Sequence, residues 1–166
     1  ENANWLYNNR GNGQFVNVAD LAGVSATEYN NTGVVACDVN NDGYQDLYVG
    51  SWGLVGDRLD FRSHLGDVFS QDLLYLNNKD GTFSDVSLSA FGDKVNFRSA
   101  TSIACADVNN DGWLDIYVGN LLDDDFRFTT SGHAGHYNML YINNTDGTFS
   151  ESAFAAGVEG PEIIFR

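Results

Sequence analysis

Residues 38–50 read DVNNDGYQDLYVG and residues 107–119 read DVNNDGWLDIYVG. In each, acid or amide side chains stand at positions 1, 3 and 5, glycine at 6 and aspartate at 9, and an apolar strand-like run follows at once. The first copy supplies Asp38, Asn40, Asp42, Gly43 and Asp46, and the second Asp107, Asn109, Asp111, Gly112 and Asp115. Such a repeat fixes a period before any single residue is interpreted. A second segment keeps the same period: WLYNNRGNGQF around Tyr7 returns as LLYLNNKDGTF around Tyr75 and MLYINNTDGTF around Tyr141. The two kinds of segment alternate with a unit of about 67 residues, a spacing that signals a propeller, solenoid or array.

Within one unit, residues 33–37 and 47–52 are short apolar runs on either side of the acidic loop, and 73–77 and 82–87 are two more joined by a tight turn. That predicts four antiparallel strands per unit. Runs such as DLYVGSW and LLYLN alternate little, so both faces of the sheet should be covered, as in stacked blades. The last run, TFSDVS, is more polar, as an exposed edge strand needs to be. Single helical turns are expected near 19–23, 87–91 and 152–156. Asn12-Gly13, Asp80-Gly81 and Asp146-Gly147 carry the signal of a type I′ hairpin turn. The fold class expected is all-β: a β-propeller fragment of four-stranded antiparallel blades. Residues 4–29 would end one blade, 30–97 and 98–154 would form two more, and 155–166 would lead into the next.

Oxygen donors at alternate positions of a tightly curled loop suit a hard cation, and Ca²⁺ takes 6–8 oxygens at roughly 2.3–2.6 Å. The loops are therefore expected to hold two Ca²⁺ ions. The ligands would be Asp38, Asn40, Asp42 and Asp46 with the backbone carbonyl of Tyr44, and Asp107, Asn109, Asp111 and Asp115 with that of Trp113. Mg²⁺ fits less well, because it demands a stricter octahedron and keeps its water. A lone Asp/Asn/Gly cluster could be an ordinary turn. Three carboxylates within nine residues, twice over, would repel one another without a cation.

The string DVNNDGYQDLYVG, paired with LYLNNKDGTFSDV, resembles the FG-GAP or VCBS repeat, in the variant found in cartilage acidic protein and, more distantly, in the integrin α-subunit head. The resemblance runs from about residue 4 to 154. It implies a propeller commonly of about seven blades, secreted or on the cell surface, with Ca²⁺ between the first two strands of a blade. On that reading the chain continues past Arg166 into another blade, with a third acidic loop opening at about position 175.

Composition narrows the partners. With 23 acidic against 8 basic residues and a formal charge of −15, nucleic acid and anionic membrane are disfavoured. No apolar run is long enough for a membrane span. Catalytic signatures such as GxSxG, a Walker loop or HExxH are missing from the sequence, so a non-catalytic module is expected. Cys37 and Cys105, each in an apolar run before an acidic loop, read as buried thiols, with a disulfide between them as the lesser alternative.

The insertions 53–72 and 120–138 each carry an Asp-Phe-Arg tripeptide and together hold His64, His133 and His136. Their aromatic and arginine content suits a protein partner or neighbouring subunit. A glycan ligand is the other class considered, and would need exposed aromatic platforms; Trp52 and Trp113 read instead as structural. Secretion or surface display fits loops of millimolar-range calcium affinity. Asn30 and Asn143 head glycosylation sequons.

Overall fold

The structure is a computed structural model, described for residues 3–52, 71–120 and 137–160. Its strands are β1 (Tyr7–Gly11), β2 (Gln14–Asn17), β3 (Asn31–Cys37), β4 (Asp46–Ser51), β5 (Leu73–Asn77), β6 (Phe83–Asp85), β7 (Ala100–Ala106), β8 (Asp115–Asn120), β9 (Met139–Asn143) and β10 (Phe149–Glu151). They form a hairpin, β1-β2, and two four-stranded antiparallel meanders, β3-β4-β5-β6 and β7-β8-β9-β10. These sheets are propeller blades, and the chain is a β-propeller fragment. Single helical turns α1 (Ala19–Ala22), α2 (Ser87–Phe91) and α3 (Ala153–Ala156) follow the last strand of each unit, at the three places the sequence suggested.

The first blade is apolar on both faces of its central strands because it is covered on both. Along β4 and β5, Leu47, Val49, Leu73 and Tyr75 turn toward the N-terminal hairpin and pack with Ala19, Ala22 and Val24. Tyr48 and Leu74, one residue out of phase, turn the other way. There they join Phe91, Ile116, Val118, Tyr141 and Phe149 in the core between the two blades. Strand side chains alternate between faces, so a run without polar alternation is what a doubly covered strand requires.

Aromatic rings fill the centre of that junction. Phe91 lies 4.4 Å from Tyr141 and 5.3 Å from Phe149, centroid to centroid, and stands edge-on to Tyr48 at 5.9 Å. The Tyr141 hydroxyl donates to the Lys94 carbonyl at 2.7 Å. Gly50 sets how closely the blades approach, since a Cβ there would lie 2.8 Å from the Ala100 Cβ and 2.9 Å from the Ile103 Cδ1.

Two expectations are corrected. Cys37 and Cys105 are joined in a disulfide. Cys37 stands one residue before Asp38 and Cys105 two before Asp107, so on the adjacent first strands β3 and β7 they fall one residue out of register and turn to opposite faces of their sheets, which lets them meet across the junction between the blades. The resulting Cα–Cα separation of 6.5 Å lies within disulfide reach. Of the three hairpin turns, only Asn12-Gly13 has two consecutive positive φ values, 54° and 73°. In the other two the positive φ falls on Lys79 and Gly81, and on Thr145 and Gly147. Asp80 and Asp146 instead accept the Thr82 and Thr148 backbone N–H groups, making a wider turn stapled by an Asx bond. The Asp-Phe-Arg tripeptides, the three histidines and residues 161–166 of the expected lead into the next blade lie outside the described residues.

Candidate metal centres

Each acidic loop joins the first two strands of its blade, β3 to β4 and β7 to β8. The ladder dictates where position 9 goes: Asp46 opens β4 opposite Cys37, and Asp115 opens β8 opposite Ala106. Both aspartates are buried, and each of their carboxylate oxygens accepts one backbone amide. Asp46 accepts the Val39 N–H at 3.0 Å and the Asn77 N–H at 2.8 Å. Asp115 accepts the Val108 N–H at 3.0 Å and the Asn143 N–H at 2.8 Å. Position 9 thus anchors the loop to the third strand of the same blade. Burial pushes the Asp46 carboxyl up, against the pull of the Asn77 and Val39 amides and with the help of Asp42 and Asp38.

Positions 1, 3 and 5 curl over the loop backbone in the same way in both copies. Asp38 accepts from the Asp42 and Gly43 amides, and Asp107 from the Asp111 and Gly112 amides. Asn40 and Asn109 accept from the amide of position 5. Asp42 and Asp111 accept from the amides of Tyr44 and Trp113 at position 7. Gly43 and Gly112 each hold φ at 88°, a conformation that costs a side-chain-bearing residue strain. Among the described residues no three carboxylate, thiolate or imidazole groups already stand at metal-ligand spacing. The side-chain oxygens of each loop are instead turned mostly onto backbone amides, with Asp42 Oδ2 facing Lys79.

The donor set fits Ca²⁺ by chemistry. All the side-chain donors are hard oxygens, and a carboxylate has about four acceptor sites, so Asp46 and Asp115 keep capacity beyond their two amides. Lys79 supplies the first loop with a cation of its own: its Nζ lies 3.3 Å from Asp42 Oδ2 and 5.4 Å from the Tyr44 ring centroid. Desolvation raises the Asp42 carboxyl, but the Tyr44 N–H, Lys79 and Asn40 together outweigh it and hold it below the usual carboxylate range.

The two loops touch. The Asn41 Nδ2 donates to the Gly112 carbonyl at 3.0 Å, and the buried Asn143 Nδ2 donates to the Val39 carbonyl at 2.8 Å. The sequence assigned neither residue a contact between the loops, although asparagine at the position of Asn143 recurs as Asn9 and Asn77. Asn143 had been read only as a sequon; its amide is buried and committed to carbonyls of both loops.

A profile of the FG-GAP-like repeat matches residues 1–49 and 64–118. The chain belongs to the FG-GAP-like repeat family. Among curated proteins it is 30% identical over 129 residues to mouse (Mus musculus) cartilage acidic protein 1 and 31% identical over 119 residues to the human (Homo sapiens) protein of that name. The Xenopus tropicalis protein of that name is 29% identical over 121 residues. Each match takes in 71% of this chain but only 15–16% of the relative's own length. The family match spans the first acidic loop to Val49 and the second through Val118, so this FG-GAP-like chain carries the repeat in both blades. No helix among its described residues is long and apolar enough to cross a membrane.

Proposed function

We propose that the chain is a calcium-stiffened, non-catalytic propeller segment of a secreted or cell-surface protein, serving protein–protein interaction, adhesion or assembly. The observation that carries this reading is the pair of nine-residue acidic loops, each anchored to its blade by a buried aspartate. Asp38, Asn40, Asp42 and Asp46, with the Tyr44 carbonyl, would hold one ion. Asp107, Asn109, Asp111 and Asp115, with the Trp113 carbonyl, would hold the other. A bound ion would supply the charge that three crowded carboxylates otherwise lack.

The disulfide supports an oxidising compartment, since such bonds are rare where glutathione keeps thiols reduced. The acidic surface, at −15, speaks against nucleic acid and against anionic membrane. Partner contacts are assigned to the insertions 53–72 and 120–138, whose aromatic and arginine residues suit an interface. The relatives named cartilage acidic protein 1 fit the same class of molecule.

A ligand that binds only the native state stabilises it by RT ln(1 + [L]/Kd), about 2.7 kcal/mol at a hundredfold excess over Kd. Thermal unfolding in millimolar calcium should therefore occur well above that in EDTA. An unchanged melting temperature would overturn the reading.

One observation favours the glycan alternative. Trp52 is 44% exposed, contrary to its reading as a structural residue, and borders a groove of about 340 Å³ with Asn4, Asn30, Asn31 and Thr32. An aromatic face beside amide and hydroxyl groups suits a sugar ring. Glycan-array binding that disappears in Trp52→Ala would establish this second reading.

A further inference from the structure

Three copies of the hairpin place asparagine at one position, as Asn9, Asn77 and Asn143. In each copy the side-chain oxygen closes a local turn by accepting the backbone N–H two residues on. The side-chain nitrogen distinguishes them. Asn77 Nδ2 donates to the Gln45 carbonyl of its own blade. Asn143 Nδ2 donates to the equivalent Leu114 carbonyl at 3.2 Å and also crosses to the Val39 carbonyl of the preceding blade at 2.8 Å. Val39 is position 2 of the first acidic loop and Leu114 is position 8 of the second, while the Asn143 N–H holds Asp115 at position 9. One side chain, only 3% exposed, is thus bonded into both loops.

We propose that Asn143 couples the two loops, so that filling of one raises the affinity of the other; this rests on the calcium reading above. The coupling has a physical carrier. The Val39 N–H donates to Asp46 while the Val39 carbonyl accepts from Asn143, so one peptide segment connects the first loop's position-9 carboxylate to the second loop's anchor. An ion that tightens the first loop fixes Val39, which fixes the Asn143 amide, which presents Asp115 and the Leu114 carbonyl in ordered positions. The second ion then meets a loop whose ordering cost has already been met. The exposed Asn41 bond to the Gly112 carbonyl acts in parallel at the loop tips. Asn143 acts through other groups and is a positioning residue.

The test is a calcium titration of the chelator-stripped chain, followed by tryptophan emission, with Trp113 in the second loop as the reporter. Emptying the first loop with Asp38→Asn/Asp42→Asn should raise the second loop's midpoint roughly fivefold or more, the lower end of measured allosteric couplings. On an Asn143→Ala background the same pair of changes should move it by less than about twofold. Asn77→Ala, a control that loses the same local turn but no bond between blades, should keep the full shift. A merely structural role for Asn143 would lower the melting temperature and leave the shift in place. If Asn143→Ala does not fold, Asn41→Gly, at a φ of 56° that glycine accepts, carries the test and should diminish the shift. A midpoint unmoved by emptying the first loop, or a shift that survives both substitutions, overturns the coupling while leaving calcium binding intact. No response to calcium in any variant overturns both.

Discussion

Asp72 and Asn138 occupy the same place in successive blades, one residue before the third strand, and differ by a charge. Each accepts a backbone N–H from the end of the second strand, Asp72 from Ser51 at 2.7 Å and Asn138 from Asn120 at 2.9 Å. Asn138 donates its Nδ2 to the Tyr117 hydroxyl, whereas Asp72 accepts from the Tyr48 hydroxyl and from the Asn96 Nδ2. Burial pushes the Asp72 carboxyl up to about 6, although the Asn96, Ser51 and Tyr48 hydrogen bonds oppose it.

That difference predicts a pH dependence. Because the folded pKa lies above the unfolded one, the native state holds the proton longer, and between about pH 4 and 6 stability falls as pH rises. Above pH 6 the cost of the buried charge is fully present, on the order of 2–3 kcal/mol. Asp72→Asn should remove this slope. Urea unfolding of both proteins in EDTA at pH 4.5 and 7.5 checks it: the variant should gain on the parent at the higher pH, and parallel behaviour would refute the assignment.

Gly50 admits the second blade. Gly50→Ala should destabilise the chain by about 1–3 kcal/mol through overpacking against Ala100 and Ile103. Gly33→Ala, whose Cβ would meet only Ile103 Cδ1 at 4.0 Å, should cost less than about 1 kcal/mol. Equal losses in denaturant unfolding would mean that the close approach at Gly50 does not set the blade spacing.

The disulfide closes a span of 68 residues. Cys37→Ser/Cys105→Ser should lower stability by about 2–4 kcal/mol, mainly through a freer unfolded chain. Thiol titration of the denatured, unreduced chain should find no free cysteine, and two reactive thiols would contradict the pairing.

Much of this architecture was legible in the sequence because a repeat constrains every copy at once. The runs at 33–37 and 73–77 lie within or match β3 and β5, and the helical turns α1 to α3 fall where the last strand of each unit ends. What stayed hidden depends on how blades meet, which no single repeat encodes. Cys37 and Cys105 read as separate thiols because nothing in one strand says which residue of the neighbouring blade's first strand lies 6.5 Å away. Asp72, Asn120 and Asn138 fell within the insertions 53–72 and 120–138, yet they hold the insertion ends to the strands. The turns at Asp80 and Asp146 differ from the expectation because the dipeptide alone cannot show that the positive φ values fall on either side of the aspartate, whose side chain accepts the amide two residues on. The loop ligands were legible as residues; their partners in the fold, Asn77 and Asn143, were not, because both bonds reach to a distant strand.

Calcium binding by the two loops is the claim on which the rest depends, and isothermal titration calorimetry of the chelator-stripped chain tests it most directly. The account predicts two ions per chain, one after Asp107→Ala/Asp111→Ala, and none after the same change in both loops. A flat titration of the native chain at millimolar calcium, or an unaltered stoichiometry in the variants, would contradict it.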